Sequence, residues 1–164
     1  MNIHLVSSVG RASRLISAFD KALQNAGVYN YNLLILSSVI PPGSKVIHVK
    51  SYNTPQKEYG YKLYCVRAEM RSEKKGQVIG AAMGYYQLPD GRGIFVEHER
   101  TGKSEEEVEI LLRNDVKHSV TDLCKSRNFP VKPSDIKWKT SVAIVGDLPT
   151  CVLVLGVYQS EGWK

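Results

Sequence analysis

Two segments of this chain carry a helical period, and most of what lies between and after them reads as strand. Residues 14–25 place Leu15, Ile16, Phe19, Ala22 and Leu23 on one face, with Ala26 extending it, Ser13 as the expected N-cap and Gly27 closing the helix. The second helix opens at Ser104, where Ser104 and Glu107 have capping-box spacing and Glu105 and Glu106 complement the positive helix end. Val108, Leu111, Leu112, Val116, Val120 and Leu123 mark its buried face. Lys125 and Arg127 suit its negative end, and Pro130 and Pro133 prevent its continuation.

The strand-like segments are residues 3–8, 31–38, 45–49, 59–70, 77–88, 93–99, 138–145 and 151–159. Several are joined by short polar turns such as 71–76, Pro89-Asp90-Gly91 and 146–149, which favour hairpins. The opening reads as a β-α-β unit. Segment 31–38 shows too little alternation to face water on one side, so it is expected to be buried. The order predicts an α/β sandwich of mostly antiparallel strands with flanking helices. The 164 residues form one expected domain. A chain of this size buries about 70% of its unfolded surface, so a core can form without disulfides or a metal.

Several function classes find no support. Cys65, Cys124 and Cys151 are widely spaced, form no CxxC and match neither a disulfide framework nor a metal-ligand set. The charge of +6 is spread along the chain, and Glu58, Glu69 and Glu73 interrupt its densest region, so no nucleic-acid partner is expected. There is no GxGxxG or Walker A motif. No apolar run reaches the ~18 residues of a membrane span. Residues 1–5 lead into a strand without signal-peptide character, so a cytoplasmic location is expected.

The stretch Asn-Leu-Leu-Ile-Leu-Ser-Ser-Val-Ile-Pro-Pro, residues 32–42, runs an apolar strand into the pair Ser37-Ser38 and stops it with Pro41-Pro42. By itself a serine pair at a strand end is ordinary hydrogen-bonding filler. Together with Leu-Ile-Ser-Ala-Phe-Asp-Lys-Ala-Leu-Gln-Asn-Ala-Gly upstream, residues 15–27, it resembles the self-cleavage region of the pyruvoyl-dependent arginine decarboxylases. The likeness continues through Gly-Gln-Val-Ile-Gly-Ala-Ala at 76–82, Gly-Ile-Phe-Val-Glu-His-Glu at 93–99, and the last helix and hairpin. Residues 49–71 match poorly.

The resemblance implies cleavage between Ser37 and Ser38 into fragments 1–37 and 38–164, with Ser38 becoming a covalently bound pyruvoyl cofactor. That ketone condenses with a substrate amine and accepts the electrons left by CO2, the work a pyridine ring does in other decarboxylases. The implied reaction is L-arginine to agmatine and CO2. The implied assembly is a homotrimer or a dimer of trimers, with sites between neighbouring subunits.

Carried over by position, Asn32 helps position the reacting groups, Asp20 contacts the substrate guanidinium and Glu97 is the proton donor. A carboxylate can bind a guanidinium through two parallel hydrogen bonds. A carboxyl donor must stay protonated at working pH, so burial should raise the pKa of Glu97. Each residue also has a plainer reading: Asn32 as a polar strand start, Asp20 as a solvated helix residue, Glu97 as part of a solvated strand face. Glu99 reads as structural or solvated, and His98, on the apolar face with Ile94 and Val96, as a core or interface histidine. The alternatives are a decarboxylase of another amino acid and an uncleaved binding or structural relative.

Overall fold

The computed structural model describes residues 1–164. The strands are β1 (Asn2–Arg11), β2 (Asn32–Ile35), β3 (Val39–Ile40), β4 (Lys45–His48), β5 (Lys62–Ser72), β6 (Val78–Gln87), β7 (Gly93–Gly102), β8 (Lys137–Ile144) and β9 (Thr150–Glu161). The helices are α1 (Leu15–Ala26) and α2 (Glu105–Lys125). One sheet has the order β2-β5-β9-β1-β4 and the other β3-β7-β6-β8. Only the β1–β4 and β2–β5 pairs are parallel; every other ladder is antiparallel. The expected α/β sandwich is therefore present.

Side-chain alternation builds it as four layers. Along β9, Val152, Val154 and Tyr158 face the space between the sheets with Leu5, Ile79, Met83 and Phe95. Cys151, Leu153, Leu155 and Val157 face the other way, against Ala18, Ala22 and Ala26 of α1. The outer face of the second sheet packs Ala82, Ile94 and Val96 against Val108, Leu112, Val116 and Val120 of α2. A strand buried on both faces must be apolar at nearly every position, as β9 is. Gly10 allows α1 to cross β1 closely: a Cβ there would lie 2.1 Å from the Ala18 carbonyl oxygen.

The structure corrects several local expectations. The N-cap of α1 is Arg14, whose carbonyl accepts the first helical bond from the Ala18 N–H at 2.8 Å; Ser13 lies one residue too early, and no side chain caps this end. Gly27 does close the helix, in the left-handed conformation at φ 83°. Ile16 turns outward, 65% exposed. At α2, the Ser104 hydroxyl accepts from the Glu107 N–H at 3.1 Å, but the Glu107 carboxylate reaches the N–H of Lys103 instead of Ser104. Cys124 takes the buried place expected of Leu123.

The expectation of burial for residues 31–38 does not hold within the chain. β2 is an edge strand with β5 as its one ladder partner, so Leu34 and Ile35 stay exposed. β1 and β2 run parallel in one sheet with β5 and β9 between them, so the β-α-β opening is split by later strands.

Candidate active site

The chain changes sheets at Ser37-Ser38. On the first sheet the last tie is the Leu36 N–H to the Cys65 carbonyl, 2.8 Å. On the second, the first tie is the Phe95 N–H to the Ser38 carbonyl, also 2.8 Å. Ser37 falls between these anchors. Turning so sharply forces Ser38 to φ 69°, a left-handed backbone that a serine adopts at a cost of roughly 1–3 kcal/mol. β3 then follows in register with β7, Val39 opposite Ile94 and Ile40 opposite Gly93.

This turn delivers the Ser38 hydroxyl to β7, where it donates a hydrogen bond to Glu97 Oε1. Glu97 shares the inward face of its strand with Phe95, because side chains two apart point the same way. Its carboxyl sits above the ordinary value. Burial is the main cause, the Ser38 hydroxyl and the backbone pull it back, and nearby Glu99 adds to the rise. The sequence-based expectation for Glu97 thus agrees in direction with its surroundings.

Asp20 and Asn32 lie elsewhere. Asp20 is exposed on α1, on the outer side of the five-stranded sheet, and accepts a 2.6 Å hydrogen bond from Gln24 Nε2. Its neighbour Phe19 lies beneath the guanidiniums of Arg71 and Arg67, at 4.0 and 5.4 Å from the ring centre. Asn32 begins β2 and donates through Nδ2 to the Gly60 carbonyl at 2.7 Å. Extended chain separates Asn32 from Leu36, about 13 Å at roughly 3.3 Å per residue. Within one chain, therefore, Ser38 meets Glu97 and meets neither Asn32 nor Asp20.

Glu99 accepts from the Glu69 N–H at 3.3 Å and so joins β7 to β5. His98 pairs through Nε2 with Ser119 of α2 at 2.9 Å, a place in the helix-facing layer that matches the core reading. Sequence reasoning missed Tyr158, whose hydroxyl donates to the Val39 carbonyl at 3.0 Å. The available signal was a polar-tipped aromatic in the inward register of Val152 and Val154. A depression of about 780 Å³ between α2 and β8, floored by Trp138, is separate from this corner.

The family described as pyruvoyl-dependent arginine decarboxylase matches residues 2–161. This chain belongs to that family. Among proteins named pyruvoyl-dependent arginine decarboxylase, that of Methanothermobacter thermautotrophicus is 30% identical over 108 residues, covering 66% of this chain and 68% of the relative. Pyruvoyl-dependent arginine decarboxylase 2 of Archaeoglobus fulgidus is 33% identical over 98 residues, 58% of this chain and 62% of the relative. The Thermoplasma volcanium protein is 31% identical over 106 residues, 63% and 57%. The matched part of the chain thus spans about three fifths of the length of these relatives.

The family name implies a pyruvoyl group, and the residues around Ser38 suit one. Residue 38 is a serine whose hydroxyl contacts a half-buried carboxyl, and a backbone N–H holds the residue's carbonyl.

Proposed function

We propose that this chain is a proenzyme that cleaves itself between Ser37 and Ser38, and that the matured protein, fragments 1–37 and 38–164 held together, converts L-arginine to agmatine and CO2. The observation that supports this most is the hydrogen bond from the Ser38 hydroxyl to Glu97, made at a residue in a left-handed conformation.

Cleavage begins when Ser38 Oγ attacks the carbonyl carbon of Ser37. The new C–O bond forms, the C–N bond to residue 38 breaks, and the hydroxyl proton passes through the Glu97 carboxylate to the departing amine. Loss of the Cα proton of residue 38 then expels the Ser37 carboxylate and breaks the Cβ–O bond. Water displaces the nitrogen as ammonia, leaving a ketone. The strained backbone at Ser38 favours the first step, because breaking the peptide bond releases it.

When present, the pyruvoyl group supplies the ketone that takes up the substrate amine and the electron pair released with CO2. The protein must hold that group, orient the substrate and return one proton. In this reading Glu97 returns the proton, and its burial, which keeps the carboxyl protonated to higher pH than a solvated glutamate, supports that role. The Phe95 N–H holds the carbonyl of residue 38.

Asp20 and Asn32 require a second copy of the chain, since α1 and the start of β2 lie away from Ser38 in their own subunit. A cyclic trimer, or a dimer of trimers, completes each site from two neighbours. The exposed apolar side chains Leu34, Ile35 and Val39 flank the serine pair and offer a surface for that contact.

Intact-mass measurement of the purified protein, combined with CO2 release from carboxyl-labelled arginine, tests the reading. Two fragments with a blocked amino terminus on the larger one, and labelled CO2, are expected. One full-mass chain without CO2 release overturns it.

A further inference from the structure

We propose that Tyr158 is a positioning residue for residue 38, holding the strand that starts there from the edge opposite β7. This inference rests on the reading of Ser37-Ser38 as the cleavage site.

β3 is only two residues long, and it is the edge strand of its sheet. Successive carbonyls of a strand point to opposite edges. The Ser38 carbonyl points to β7, where the Phe95 N–H meets it, so the Val39 carbonyl points away from the ladder. The Tyr158 hydroxyl donates to that second carbonyl at 3.0 Å. Tyr158 belongs to β9, in the other sheet, so this bond ties the two sheets together at the corner where the chain crosses between them.

The local structure of β9 supports this aim. Tyr64 pairs with Gln159 and Cys65 with Val157, which leaves Tyr158 as the extra residue of a β-bulge. Alternation with Val152 and Val154 turns Tyr158 inward, and the bulge leaves it with no β5 residue opposite. The ring is 7% exposed and packs edge-on against Phe95, with centroids 6.3 Å apart. Burial, together with the charge of Glu97, pushes the phenol's ionisation upward, so the hydroxyl remains a donor at working pH.

The tie matters most after maturation. Cleavage removes the covalent link from residue 38 to Ser37 and turns residue 38 into a chain end, which frays unless tied down. The Phe95 N–H on its own carbonyl and the Tyr158 hydroxyl on the next then hold it. A displacement near 1 Å at a reacting group costs about 10²-fold in rate.

Tyr158→Phe keeps the ring and removes one oxygen. Tyr85→Phe is the matched control: it removes another buried hydroxyl from the same inter-sheet core, one that pairs with His48 Nε2 at 3.0 Å. Self-cleavage is followed by mass in freshly synthesised protein, decarboxylation in the fully cleaved fraction, and unfolding by heat in both variants. Tyr158→Phe is expected to slow cleavage by roughly tenfold and to lower kcat by a similar factor, with KM for arginine within about twofold of wild type. Tyr85→Phe is expected to lower Tm with cleavage and kcat unchanged. Wild-type rates in Tyr158→Phe, equal losses in the two variants, or a Tyr158→Phe chain that does not fold would each overturn the proposal. A wild-type chain that never cleaves would overturn the cleavage reading, and this role with it.

Discussion

The Ser38 hydroxyl donates a hydrogen bond to the Glu97 carboxylate across 59 positions of sequence. The contact exists because β2 and β3 belong to different sheets and the chain passes between them in three residues, 36–38. That passage sets Ser38 in a left-handed backbone and turns its side chain toward the inward face of β7. One geometric event thus supplies both a strained backbone and a proton acceptor, the two things the proposed self-cleavage calls for.

Ser38→Ala should remain a single chain of full mass, because no hydroxyl is left to attack the Ser37 carbonyl. The wild-type protein should give two fragments, the larger resisting amino-terminal sequencing. Mass spectrometry decides it; a wild-type chain that stays whole and still releases CO2 removes Ser38 from the chemistry.

Glu97→Gln keeps the size of the side chain and loses the ionisable carboxyl. In whatever fraction matures, kcat should fall by about 10²–10⁴-fold with substrate binding less affected. Steady-state kinetics on the cleaved fraction check this, and an unchanged kcat would shift attention to Glu99.

The elevated pKa of Glu97 also carries a stability signature. The folded carboxyl binds its proton more tightly than the unfolded one. The resulting stability is present below the ordinary glutamate pKa and is lost as pH rises through the folded value. In an uncleaved Ser38→Ala background the downward pull of the hydroxyl is gone and the shift should be larger. Adding Glu97→Gln there should raise Tm by an increasing amount as pH rises through that window. A pH-independent difference between the two proteins would contradict it.

Asp20→Asn keeps hydrogen-bonding capacity and removes the charge proposed to meet the guanidinium. A hydrogen bond to a charged group contributes about 1.5–3 kcal/mol, so kcat/KM for arginine should fall roughly 10- to 150-fold. Turnover of an uncharged amino acid should fall much less. Unaltered arginine kinetics would leave the substrate unassigned.

Ile35 is 52% exposed in the single chain, so Ile35→Asp should fold. Placed in an apolar subunit contact, the unpaired charge is costly to bury. Light scattering should show a trimer or hexamer for wild type and smaller species for the variant, with arginine turnover lost alongside assembly. Full activity in a monomer would contradict the two-subunit site.

The serine pair and Glu97 could be singled out through a resemblance carried by short contiguous motifs, and the roles proposed for them rest on it. Ser37-Ser38 are adjacent, the apolar run before them and the prolines after them are contiguous, and Glu97 stands on a strand whose alternation with Phe95 assigns its face. The exposure of β2 was not legible. Its run of Leu33, Leu34, Ile35 and Leu36 has the composition of a buried strand, and only strand order places it at an edge. Ser13 misled for a smaller reason: Ser13 and Arg14 both precede the apolar helix face, and only backbone geometry shows which is the cap.

The periodicities of 3.6 and 2 in the side chains sufficed to call for two helices on a mostly antiparallel sandwich, since burying those faces leaves few other arrangements. They could not say which strands neighbour which, because ladder partners are chosen by packing between segments distant in sequence. Folding alone brought Ser38 to Glu97 and Tyr158 to the Val39 carbonyl. Folding alone also set Asp20 on the far side of a sheet from the serine with which it is proposed to act.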